Sequence, residues 1–68
     1  MSEYLVIIEP SDTGFGAWSP DLGVYATGET REATVAQIRE AIAFHIEGLR
    51  QAGDAVPAPA VDTVLVAA

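Results

Sequence analysis

The chain predicts an α+β fold in the order β-β-β-α-β. A four-stranded mixed sheet, strand order 3-2-1-4, would carry one helix on one of its faces. Three observations lead there. Short β-branched or aromatic runs separated by Pro/Gly turns fill the first part of the chain. A single stretch of helical periodicity follows. A Pro-x-Pro passage, Pro57-Ala-Pro59, then leads into a last apolar run, Val61–Val66.

Tyr4-Leu-Val-Ile-Ile8 reads as the first strand, bounded by Glu3 and Glu9-Pro10. Pro10–Gly14 supplies turn chemistry, and Phe15-Gly-Ala-Trp-Ser19 returns as its hairpin partner. Pro20-Asp-Leu-Gly23 is the next turn and Val24–Thr27 a third short strand. Thr30 is a suitable N-cap, with Glu29 and Glu32 near the positive end of the helix dipole. Val35, Ile38, Ile42, Ile46 and Leu49 fall on one stripe at about 100° per residue. Gln37, Glu40, Glu47 and Gln51 lie opposite. Arg50 suits the last turn and Gly53 the C′ position.

The first strand is apolar on both parities: Tyr4, Val6 and Ile8 face one way, Leu5 and Ile7 the other. That pattern belongs to a sheet covered on both faces, yet one helix covers only one. The remaining face, and the uncharged run Val64–Ala68, require another protein surface. A homodimer or higher homo-oligomer is therefore expected, with Leu5, Ile7, Val64 and Val66 at its interface. A monodisperse monomer at micromolar concentration would contradict this expectation.

Composition narrows the function. A chain of 68 residues hides only about 60% of its unfolded surface and needs additional burial. With no cysteine, disulfides, thiolate metal sites and a thiol nucleophile are excluded. One histidine, His45, does not make a zinc site within one chain. The absence of lysine excludes Schiff-base and phosphate-loop chemistry. A net charge of −7 disfavours direct nucleic-acid binding and favours a basic protein partner. No basic segment precedes an apolar one at the N-terminus, and no apolar run is long enough to cross a bilayer. A soluble cytoplasmic protein is expected, with no membrane partner.

Four motifs in order carry a resemblance over essentially the whole chain. They are the opening strand Tyr4–Glu9, the turn block Gly16-Ala-Trp-Ser-Pro-Asp-Leu-Gly23, the helix start Thr27-Gly-Glu-Thr-Arg-Glu-Ala33, and Glu40–Pro59, which contains Phe44-His-Ile-Glu-Gly-Leu49. This succession resembles the N-terminal domain of the HicB antitoxin family, with its "F-P-D-L-P-G" turn, "G-D-T-x-E-E-A" helix start and "E-A-L-x-L-H-L-E-G-L" helix ending in "P-x-P". The resemblance implies a truncated ribonuclease-H-like fold, oligomerisation, and neutralisation of a small basic mRNA-cleaving toxin of the HicA type by protein–protein occlusion. The chain departs from the pattern at Gly23 and Val24 after the Asp-Leu turn, and at Ala33, where a capping acid is expected. Residues 1–68 are expected to form one HicB-like domain without the C-terminal DNA-binding segment that many members carry.

Phe44 lies about opposite the apolar stripe, among Gln37, Glu40, Ala41, Gly48 and Gln51. An aromatic among small and acidic residues suits a protein anchor, so Glu40, Phe44, Glu47 and Gln51 are the expected partner-binding residues. His45 sits at the margin of the stripe, as a packed histidine or a pH-sensitive contact. Trp18 and Tyr25 are expected to pair across neighbouring strands. Glu9, Asp12, Asp21 and Asp62 fall in turns or at strand ends, read as solvated residues rather than a two-metal site. No catalytic constellation, metal site or cofactor site is expected. The alternatives to a toxin-binding antitoxin are a stand-alone oligomeric interaction module of the same fold and, third, a metal-dependent nuclease.

Overall fold

The computed structural model describes residues 2–68. Three antiparallel strands, β1 (Ile7–Ser11), β2 (Gly14–Ser19) and β3 (Val24–Gly28), form a sheet of order β1-β2-β3, and one helix, α1 (Arg31–Gln51), follows. The α+β class and the order of the first four elements agree with the sequence reading. The fourth strand does not: residues 54–68 make no ladder, so the four-stranded sheet of order 3-2-1-4 is replaced by a three-stranded one with β1 at an edge.

The first strand is also displaced. Ser11 pairs with Gly14 across a two-residue turn, Asp12-Thr13, which sets the register Ile7↔Trp18, Ile8↔Ala17, Glu9↔Gly16 and Pro10↔Phe15. Pro10 therefore lies within the strand rather than in the turn, a position that an edge strand tolerates. Counting back along this register, Val6 falls opposite Ser19 and Leu5 opposite Pro20, which has no N–H to donate. The ladder consequently begins at Ile7, and residues 2–6 run on without strand pairing.

The register also decides which face the helix covers. Ile8, Ala17 and Ala26 form one cross-strand row, and Ala17 is fully buried beneath the helix. Tyr4, Val6 and Ile8 line a common groove with Val35, Ile38 and Ile42. The even-numbered set of the first segment is thus the one turned to the helix. Close approach depends on small residues: a Cβ at Gly28 would come within 2.6 Å of Thr34 Oγ1 and 2.8 Å of Thr34 N.

The helix ends follow from local chemistry. Thr30 Oγ1 accepts from Ala33 N at 3.0 Å, and Thr30 O accepts from Thr34 N and Thr34 Oγ1 at 3.0 and 2.7 Å. At the other end Gly53 takes φ 76°, while Gly53 N donates to Arg50 O and Asp54 N to Leu49 O. That is a Schellman stop, the role foreseen for glycine at C′.

The core is thin. Among the described residues the buried hydrophobic side chains are Ala17, Leu22 and Ile38, joined by the fully buried Ser19 and Thr34. Val35, Ile42, Ile46 and Leu49 of the helical stripe are only half-buried.

Candidate partner-binding surfaces

The positions Glu40, Phe44, Glu47 and Gln51 follow one another at helical spacings of three and four residues, and all four are exposed on α1. Phe44 is 82% exposed, against 3% for Ile38 on the buried side of the same helix. Gln51 Nε2 donates to Glu47 Oε1 at 3.3 Å, which ties the lower end of the stripe together. Beside Phe44 lies a shallow depression lined by Val24, Ala41, His45, Gly48 and Leu49. A Cβ added at Gly48 would meet nothing within 4 Å, so the surface next to the phenyl ring is open. His45 is half-buried along this flank. The helix therefore presents an aromatic side chain with carboxylates on either side along the same stripe.

The sheet face away from the helix forms a second surface. Ile7, Trp18 and Tyr25 make one cross-strand row, so the pairing of Trp18 with Tyr25 is realised in the register. Trp18 is 40% and Tyr25 65% exposed. The Tyr25 hydroxyl end reaches over Gly16, where a Cβ would stand 2.6 Å from the hydroxyl oxygen. Of the expected interface residues, Ile7 is in this row, and Leu5 and Ile7 are half-buried. Val64 and Val66 are each 79% exposed and Leu65 98%, beyond the sheet. Val64 and Val66 form no ladder with Leu5 or Ile7 within one chain.

Asp21 has a role the sequence reading missed. Its Oδ1 accepts from Ala60 N at 3.1 Å and Val61 N at 3.2 Å, so a residue of the β2–β3 turn holds the C-terminal segment. Upstream, Tyr4 Oη donates to Pro57 O at 2.6 Å. A carboxylate receiving two successive backbone N–H groups from some 39 residues away leaves no trace in local sequence pattern. Glu9, Asp12, Asp21 and Asp62 are not gathered: among the described residues no cluster of three or more His, Cys, Asp or Glu side chains is placed to hold a metal ion. Nor is any helix among them long and apolar enough to cross a membrane.

These are attributes of a small α+β domain with exposed aromatic and aliphatic side chains on its helix, its sheet and its last segment. The chain belongs to the HicB-like antitoxin family: the family model described as "HicB_like antitoxin of bacterial toxin-antitoxin system" matches residues 4–67. Membership supports an antitoxin role and a toxin partner of some kind. No curated protein and no solved structure gives a significant match to the chain.

Proposed function

We propose that this protein binds and occludes a small, basic, mRNA-cleaving toxin of the HicA type, and that it does so as a homo-oligomer. The observation that carries the reading is Phe44, 82% exposed in a stripe with the acidic Glu40 and Glu47 and the neutral Gln51. A solvent-facing phenylalanine contributes little to its own fold but gains from desolvation against a partner. The surrounding carboxylates and the net charge of −7 complement a basic protein and speed its encounter. The exposed Trp18, Tyr25, Val64 and Val66 support self-association, since so much apolar surface on so small a domain requires cover.

The test uses a small basic ribonuclease of the HicA type as ligand. Phe44→Ala combined with Glu47→Arg is expected to weaken binding by roughly thirtyfold or more, the loss typical of one anchor residue. Helicity and thermal stability should stay unchanged, because both positions are exposed. An unchanged dissociation constant removes this surface from the proposal. Ribonuclease activity of the purified chain with Mg²⁺ or Mn²⁺ would overturn the occlusion reading altogether.

A further inference from the structure

From the free edge of β1 and the course of the C-terminal segment, we propose that the missing fourth strand is supplied in trans. Residues 62–67 of one copy add to the β1 edge of a second copy, and the exchange is mutual. This specifies a route for the self-association proposed above and does not depend on the identity of any toxin.

The acceptor is already shaped. β1 is an edge strand with no partner on its outer side. From the start of β1 back along the segment that leads into it lies a largely apolar groove of about 420 Å³, walled by Tyr4, Val6 and Ile8 on one side and Val35, Ile38 and Ile42 on the other, with Glu3 and Arg39 also in its lining. A strand laid on that edge would send every second side chain into the groove, beneath the helix. The donor has matching chemistry. In Val61-Asp-Thr-Val-Leu-Val66 the side chains of Val64, Leu65 and Val66 are 79%, 98% and 79% exposed. Val64 and Val66 share one parity and Leu65 takes the other, so either register fills the groove with an apolar side chain. Asp62 is the one charged side chain from Val61 to Ala68, in a chain whose net charge of −7 otherwise opposes self-association.

Within one chain the segment forms no ladder with β1. It leaves the helix at Gly53, passes Tyr4 at Pro57, and is then held at Ala60 and Val61 by Asp21. Asp21 lies in the β2–β3 turn, on the far side of β2 from the β1 edge. Pairing with its own β1 would require release from Asp21 and a return across the end of the sheet. Beyond Val61 seven residues remain, a reach of about 23 Å when extended, enough for the five residues of β1 in a neighbouring copy. The family match continues to residue 67, so these residues lie within the span that the family model covers. Mutual exchange closes a twofold dimer and leaves neither β1 edge exposed.

The test is the oligomeric state of the full chain by sedimentation, with the variant Val64→Asp/Leu65→Asp beside the unsubstituted protein. The unsubstituted chain should be a dimer at micromolar concentration. The variant should dissociate, its dimer dissociation constant raised by roughly a hundredfold or more. A monomeric unsubstituted chain overturns both strand exchange and self-association. A variant that dimerises as tightly as the unsubstituted chain overturns strand exchange alone. Should the variant lose its helical circular dichroism, hydrogen exchange on the unsubstituted dimer decides the matter. Protection of the amides of residues 62–66 that is lost on dilution to monomer is expected, whereas unprotected exchange in the dimer refutes the proposal.

Discussion

Two fully buried hydroxyl groups in this domain differ in one respect, and that difference predicts opposite responses to removal. Thr34 Oγ1, on the helix, donates to Thr30 O at 2.7 Å. Ser19 Oγ, on the helix-facing side of β2, is buried with no hydrogen-bond partner in the protein. A net intramolecular hydrogen bond is worth about 1 kcal/mol, while an unsatisfied buried polar group costs about 1–3 kcal/mol. For Thr34→Val, nearly isosteric, the loss sits at the low end, about 0.5–1 kcal/mol. The reason is that Thr30 O keeps its bond from Thr34 N at 3.0 Å. For Ser19→Ala the desolvation cost disappears and only one atom's packing is lost, a net gain of about 1 kcal/mol. Against a total of about 3–10 kcal/mol for a domain of this size, both changes are measurable. Each kcal/mol moves the melting temperature by about 4–8 °C. The assay is urea unfolding at fixed protein concentration, since self-association would otherwise contribute to the apparent stability. Ser19→Ala should raise the midpoint and Thr34→Val lower it, at constant slope. A destabilising Ser19→Ala would mean that the hydroxyl is satisfied after all, and would refute the reasoning.

Two further outcomes concern the backbone. Gly28→Ala places a methyl group against Thr34 N and Cα, at 2.8 and 3.1 Å, where backbone cannot yield cheaply. It should cost about 2–3 kcal/mol by thermal unfolding, and a neutral result would show that the helix can lift from β3 freely. Asp21→Ala removes the acceptor for two amides and should destabilise by about 1–2 kcal/mol. The amides of Ala60 and Val61 should then exchange faster than in the unsubstituted chain; unchanged exchange there would show that another group holds the segment.

Much of this molecule was legible because its signals are local. Thr30 as N-cap, Gly53 as the helix stop and the facing of Ile38 all depend on residues within one or two turns of each other, and all three were read correctly. The same holds for Trp18 opposite Tyr25, where the single turn from Pro20 to Gly23 counts off the register. The family too was legible, since its motifs are ordered along the chain and the match covers residues 4–67. Phe44 was placed on an exposed face from the 3.6-residue period alone.

The errors arose where the outcome depends on distant partners. Tyr4–Val6 has strand composition, but the tight Asp12-Thr13 turn sets a register in which Leu5 falls opposite Pro20, past the end of β2, and the ladder stops at Ile7. Val61–Val66 likewise has strand composition, and handedness alone would place it beside β1. Two amide bonds to Asp21, in the β2–β3 turn, hold its start instead, and the run forms no ladder with β1.

By itself the sequence determined which segments are helical, where the helix starts and stops, which of its faces is apolar, and the family. These follow from backbone sterics, capping and periodicity, all of which act over a few residues. Only the tertiary structure decided that Tyr4, Val6 and Ile8 rather than Leu5 and Ile7 turn to the helix, and that the last apolar run leaves β1 unpaired. Pairing and coverage are contests between groups far apart in the chain, and their winner is set by register and by the reach of the connecting backbone.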